Sequence, residues 1–297
     1  MAIRADIDGF FAFMNLRELI RIRKERGEPR PWTKNKILHE GKFTNIYRMR
    51  DRVSVYVQRK ILDEFKPWDR DRATQLVFEV IAFRLFNWPP TWERIEHLIR
   101  GEWNEDAAKR ILKKAQARGE KIFTGAWVVT NNGQDRPKID VICEAVTEAY
   151  RVTPELLVGI RQDRTLRNAT RLIEALVPCA GPFVAYEMAC DLRWTPLLHK
   201  APDIHDWANP GPGAKKGIHW ILAGDDQWSG ARPNYLSEMR ELLAESKHSG
   251  RLREYMQPLE MRDIEHSLCE WQKYLRVKYK GGKLKAKYAP PPADQTW

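Results

Sequence analysis

The sequence predicts a mainly α protein built as a single helical domain, and three observations carry that expectation. Apolar residues recur at spacings of three and four over most of the chain, the mark of helices with one buried face. Strand-like text is confined to Ala126-Trp127-Val128-Val129-Thr130, which no second apolar run follows in register, so it reads as an extended loop. No low-complexity linker and no repeat with a period of about 20 to 50 residues divides the chain before its C-terminal stretch. The expected organisation is a helical domain over 1–280 followed by a basic, Pro-rich tail over 281–297.

Taken in order, residues 7–26 pair an apolar face (Phe10, Phe13, Met14, Leu16, Leu19, Ile20) with a basic one (Arg17, Arg21, Arg23, Lys24), and Gly27, Pro29 and Pro31 end the helix. Helices are expected over 53–65, 72–86 and 91–99, with Thr91 as the cap of the last after Pro89-Pro90. Asn104 or Glu105 opens another that ends near Gly119. The spans 138–150, 153–162 and 166–177 follow, then a helix from Ala214 and one over 233–246. The final helix, over 258–279, sets Met261, Ile264, Leu268, Trp271 and Leu275 as a core stripe.

Composition narrows the partners. With 297 residues and 43% hydrophobic content the chain can bury a full core. The excess of 51 Lys and Arg over 40 Asp and Glu leaves +11, which favours a polyanion, nucleic acid ahead of a membrane surface. No run of about 18 apolar residues and no secretory leader are visible, so a soluble cytoplasmic protein is expected. Cys143, Cys179, Cys190 and Cys269 are scattered among apolar neighbours without metal-ligand spacing, so neither a metal nor a cofactor is expected. From Lys273 the text turns basic, with Lys273, Arg276, Lys278, Lys280, Lys283, Lys285 and Lys287 interleaved with Tyr274, Tyr279 and Tyr288. Such lysines suit phosphate contacts that add affinity without reading bases.

The chemistry-bearing stretch is Asp203-Ile204-His205-Asp206-Trp207-Ala208-Asn209-Pro210-Gly211-Pro212-Gly213-Ala214-Lys215-Lys216-Gly217. Gly211 and Gly213 allow a sharp turn and a close backbone approach, and a helix starting at Ala214 turns free N–H groups and Lys215 and Lys216 toward an anion. An ordinary Pro/Gly turn accounts for the same residues. Upstream, residues 176–187 have the shape of a helix–hairpin–helix around Gly181, with Cys179 where such a hairpin has glycine. Asp191-Leu192-Arg193 follows, which a helix-end ion pair explains equally well.

Six blocks in order carry a resemblance over most of the chain: Phe13-Met14-Asn15; Pro31-Trp32-Thr33; Phe43-Thr44-Asn45-Ile46-Tyr47-Arg48 with Asp51-Arg52; Phe123-Thr124-Gly125-Ala126; Trp207 to Ala214; and Leu268-Cys269-Glu270 with Lys273-Tyr274. Together they resemble the α-glutamyl/putrescinyl thymine pyrophosphorylases, phage amino acid:DNA transferases, and are similar to the helical domain of 5-hydroxymethyluracil DNA kinases. The resemblance implies a transferase of phage thymine hypermodification in the cytoplasm of the infected host. It would displace phosphate or pyrophosphate from activated 5-hydroxymethyluracil in double-stranded DNA and attach an amine such as an amino acid or polyamine. It also implies a scaffold like that of helix–hairpin–helix DNA glycosylases. A glycosylase-like enzyme and a non-catalytic DNA-binding partner of a kinase are the alternatives. No G-x-x-x-x-G-K-[ST] stretch occurs, so kinase chemistry is not expected.

That chemistry needs an extruded base, positive charge for the leaving phosphate, and a base for the incoming ammonium. The anion role falls to Lys215 and Lys216 with the helix start after Gly213, and to Arg48, Arg52 or Arg193. The proton acceptor is Asp203 or Asp206, then Asp191, with His205 a further candidate. Asn45 and Asn209 could bond the uracil edge, as an amide offers both donor and acceptor.

Overall fold

The computed structural model describes residues 6–125, 129–131, 133–248, 250–284 and 286–290. Its helices are α1 (Ile7–Glu25), α2 (Lys36–Glu40), α3 (Arg52–Val57), α4 (Ala73–Phe86), α5 (Pro89–Arg100), α6 (Glu105–Ala117), α7 (Lys138–Gln162), α8 (Leu166–Leu176), α9 (Pro182–Leu192), α10 (Pro212–Ala223), α11 (Tyr235–Glu245) and α12 (Met261–Lys280). Among the described residues there is no named strand, and no helix is long and apolar enough to cross a membrane. The protein is mainly helical, as its periodicity predicts. Residues Ala126, Trp127 and Val128 of the strand-like text lie outside the described residues, as does Lys285 of the basic stretch.

The described chain forms two compact units. One is contiguous, Arg52–Asp203; the other joins the residues up to Asp51 to those from Ile204 onward. Neither junction carries a linker composition.

In the contiguous unit α4 is buried on nearly every side: Leu76, Val77, Phe78, Val80, Ile81, Ala82, Phe83, Leu85 and Phe86 are buried, and with them Glu79, held by Gln75 and Arg100 at 3.1 and 3.3 Å. So largely apolar a helix must be enclosed, and α5, α7 and α9 pack around it. Arg84 is nonetheless buried in α4. Its Nε and Nη2 donate to the two oxygens of Asp191 on α9 at 2.5 and 2.7 Å, and its Nη1 donates to Asn87 Oδ1 at 2.9 Å. Asn87 ends α4 in the left-handed region, with φ of 49°.

Two local expectations for this unit are corrected. Helix α5 starts at Pro89, not Thr91, because proline suits a first-turn position whose N–H is not needed. Thr91 is fully buried and its hydroxyl donates to the Ile122 carbonyl at 2.7 Å, so it is a tertiary contact rather than a cap. The spans 138–150 and 153–162 are one helix, α7, running through Pro154. Proline removes one donor from the ladder; the Thr153 hydroxyl donates to the Ala149 carbonyl at 2.5 Å beside the gap. After α8, residues 177–181 turn the chain into α9, with Cys179 at φ of 64°. Cysteine thus occupies the left-handed position where glycine is cheapest.

The other unit is organised on α12. Its stripe Met261, Ile264, Leu268, Trp271 and Leu275 is buried as expected. A capping box of Glu260 and Asp263 starts the helix. Helix α1, capped by Asp6 on the Gly9 N–H, packs its Phe10 and Phe13 against Trp271 and Tyr274, ring centroids 5.3–6.4 Å apart. Its basic face is not all solvent. Arg17 is buried and donates to the Phe43 and Thr44 carbonyls, both at 3.1 Å, since those loop carbonyls need a donor. Burial lowers the Arg17 pKa, opposed by the nearby Glu270, Asp51 and Glu18 carboxylates. Glu18, also buried, holds Arg21 and Arg50 at 2.7 Å each.

Beyond α12 the chain doubles back. Lys42 N–H donates to the Ala286 carbonyl at 2.9 Å and Tyr288 N–H to the Glu40 carbonyl at 2.8 Å, an antiparallel bridge of Gly41 with Lys287.

Candidate active site

Within the unit built on α12, three distant stretches meet: the turn 43–51, the loop and helix start 207–217, and a polar stripe of α12. The glycines of the second stretch explain the geometry. A Cβ on Gly217 would stand 2.4 Å from the Leu268 carbonyl oxygen, and one on Gly213 the same 2.4 Å from Cys269 Sγ. Both residues let α10 lie directly on α12. Gly213, expected to allow close approach to a ligand, meets α12 instead, and Gly217 does the same one turn on. Burial under this contact pushes the Cys269 thiol up to about 12, helped by Glu270 and Glu265.

Helix α10 begins two residues before the expected Ala214, with Gly211 as cap and Pro212 in the first position. Gly211 N–H donates to Glu265 Oε1 of α12 at 3.1 Å, so a carboxylate of the protein already serves one donor at this positive helix end. Lys215 N–H returns to the Gly211 carbonyl at 3.0 Å. That leaves the N–H groups of Gly213 and Ala214 as first-turn donors with no acceptor inside the helix. Lys216 is exposed, and Lys215 lies over the Tyr235 ring at 5.6 Å.

The turn 43–51 is tied to α12 by His266, whose Nε2 lies 2.8 Å from Thr44 Oγ1 and 3.1 Å from the Asn45 carbonyl oxygen. Thr44 N–H donates to Glu270, which also holds Lys273 at 3.0 Å. Asn45 spends its side-chain amide on the turn itself: Nδ2 donates to the Arg50 carbonyl at 2.9 Å, while its N–H donates to Asp51 at 3.0 Å. Arg48 is buried and bonds Asp51 at 2.6 Å.

The other expected residues are dispersed. Asp203 closes the contiguous unit, where its two oxygens accept the N–H groups of Leu166 and Arg167 at 2.8 and 2.9 Å. It caps α8 beside Thr165, so Asp203→Ala is expected to cost about 0.5–2 kcal/mol in thermal or urea unfolding. Asp191 is wholly buried against Arg84. Arg193 caps α9 and lies over Trp194 at 4.9 Å; Gly181 starts α9 with open space where a Cβ would stand; Arg52 is the exposed first residue of α3. Asp206 and His205 are exposed in the α12-based unit, with Arg240 donating to the Asp206 carbonyl at 2.8 Å and reaching its carboxylate at 3.8 Å. Asn209 is half-buried near the start of α10.

Sequence reading missed Glu265 and His266. Their signal was a second stripe on the same helix, Arg262, Glu265, His266, Cys269, Glu270 and Lys273, at the same spacings of three and four as the core stripe. Among the described residues no group of three or more His, Cys, Asp or Glu side chains is arranged to hold a metal ion.

A family described as the helical domain of 5-hmdU DNA kinase matches residues 5–283, a span that holds the turn 43–51, the 207–217 stretch and α12. The chain belongs to this family. Relatedness to the helical domain of 5-hydroxymethyluracil DNA kinases, expected from the motif blocks, therefore holds. The 5-hmdU DNA kinase of Bacillus phage SP10 is 26% identical over 285 residues, covering 88% of this chain and 44% of the phage protein. The helical-domain chain thus spans less than half the length of that curated relative. No solved structure matches it.

Proposed function

We propose that this helical-domain protein acts in the cytoplasm of the phage-infected host as an enzyme of thymine hypermodification, resembling the thymine pyrophosphorylases. It displaces phosphate or pyrophosphate from an activated 5-hydroxymethyluracil in double-stranded DNA and attaches an amino acid or polyamine. The observation that carries this reading is the convergence of the turn 43–51, the 207–217 stretch and the α12 polar stripe at the α10 start. The amine nitrogen attacks the C5 methylene while the C–O bond to the phosphate breaks, and the leaving group departs with the bonding pair. The Gly213 and Ala214 N–H groups with Lys215 and Lys216 receive the growing negative charge, the place where fixed donors help most. Asp206, exposed in the same unit, accepts the ammonium proton. Asn209 is the amide offered to the uracil edge. Asn45 shapes the turn that carries Arg48, and Asp203 and Asp191 support their own helices.

The α8–turn–α9 hairpin, with Cys179 in the glycine-like conformation and Gly181 at the α9 cap, is assigned to the DNA backbone as in helix–hairpin–helix glycosylases. Mass spectrometry of nucleosides, after incubation with 5-phosphomethyluracil or pyrophosphorylated DNA and pooled amines, tests the reading and names the donor. Asp206→Asn is expected to abolish the aminated nucleoside while duplex binding survives; undiminished product would remove Asp206 from the reaction. One observation favours a second reading. The match is to the helical domain of a kinase and covers 44% of the phage relative, so a non-catalytic DNA-binding partner of such a kinase predicts binding with no new nucleoside. Alkali-labile abasic sites would instead mark a glycosylase.

A further inference from the structure

We propose that the described residues 281–284 and 286–290 form a fixed strap that holds the phosphate backbone of duplex DNA, a surface additional to the α10 start. The inference rests on the DNA reading above. From sequence this lysine-rich stretch suits phosphate contacts, and here its described course is anchored at both ends. Gly282 N–H and the Lys283 carbonyl bond Arg276 of α12 at 3.1 and 3.2 Å, and the Gly41–Lys287 bridge pins the far end. Between them Leu284 packs so tightly on Gly41 that a Cβ there would stand 2.9 Å from its methyl. The Tyr288 ring then locks the end, 5.5 Å from Trp32 with Lys24 and Arg30 over it at 4.8 and 5.3 Å.

Part of the positive charge of the unit is already spent on ion pairs. Lys280 is neutralised by Asp225 and Asp226, and Lys273 by Glu270. Glu25 and Glu28, the acids nearest Lys24, are held by Arg21 and Arg23. Lys24, Arg30, Lys42, Lys283 and Lys287 are exposed and form no ion pair among the described residues, with Glu40 the half-buried acid beneath them. Unneutralised cations on a rigid strap lose little entropy on meeting a second row of charges, and each phosphate they meet releases a counterion. None of the exposed large apolar side chains belongs to the strap, whereas a membrane-seated segment needs an apolar face to bury. The geometry therefore favours a phosphate backbone over a lipid surface.

The test is duplex affinity as a function of salt for the full chain and for Lys42→Gln/Lys283→Gln/Lys287→Gln. The expected loss is between two and three in the slope of log K against log salt, at about 0.9 per phosphate contact, equal for modified and unmodified duplex. Tyr288→Ala is expected to weaken binding and to speed tryptic cleavage after Lys283, while Tyr288→Phe changes neither. An unchanged slope in the triple variant overturns the strap; if that variant still aminates DNA, the transferase reading stands without it. Wild-type protein that binds no duplex at low salt removes both. Phosphatidylserine vesicles that bind wild type but not the triple variant, with duplex affinity unaltered, assign the band to membranes and overturn it too.

Discussion

Asp191→Ala is expected to lose about 3–5 kcal/mol of stability, the cost of breaking a buried ion pair and leaving one charge uncompensated. The Arg84 and Asp191 side chains are each only 1% exposed, and both carboxylate oxygens are committed to Arg84. Without the carboxylate, the guanidinium keeps Asn87 as a partner but stays buried away from water. In urea the midpoint should fall by about 1–2.5 M for a slope of about 2–3 kcal/mol/M. A second variant separates packing from chemistry. Arg84→Met with Asp191→Leu replaces the pair by apolar groups of similar size and should recover most of the stability. It should also retain product formation in the nucleoside assay. Loss of product from this double variant at wild-type stability would return Asp191 to the list of reacting groups.

Gly217→Ala is expected to cost about 2–3 kcal/mol, at the upper part of the range for overfilled interiors, because the obstacle is backbone. The new methyl meets the Leu268 carbonyl at 2.4 Å, and a carbonyl inside α12 cannot turn aside as a side-chain tip would. Helix α10 must therefore lift from α12, carrying the Gly213 and Ala214 N–H groups away from the turn 43–51. The variant should melt lower and lose product more than duplex affinity, since backbone contacts elsewhere persist. Gly213→Ala, facing the single sulfur of Cys269, provides the graded comparison: pairing it with Cys269→Ala clears the obstacle and should restore stability. Failure of that rescue would mean that Gly213 is needed for something other than packing.

Helix positions were legible from local periodicity because most helices bury one stripe, as α12 does with Met261 through Leu275. Where sequence reading went astray, the deciding partner lay far along the chain. Thr91 has the look of a cap, but its hydroxyl is claimed by Ile122; Arg17 has the look of a solvated cation, but the carbonyls of Phe43 and Thr44 draw it inward. The motif glycines were visible, yet their reason was not, since only the approach of Leu268 and Cys269 explains Gly217 and Gly213. Similarly, Asp203 and Asp206 stand three residues apart and look equivalent in sequence. The fold assigns the first to the α8 N-terminus and leaves the second exposed.

The unit built on α12 is assembled from the two separated parts of the chain, and this sets an order of events during synthesis. Phe10 and Phe13 of α1 leave the ribosome some 250 residues before Trp271 and Tyr274, the rings that cover them. At about 5–20 residues per second, the α1 aromatics wait on the order of ten to fifty seconds without their partners. All of Arg52–Asp203 is made within that interval and can fold on local contacts, α4 finding α5, α7 and α9. Closing the second unit then means joining segments far apart in sequence, with loop-closure entropy lost before the α1–α12 contacts form.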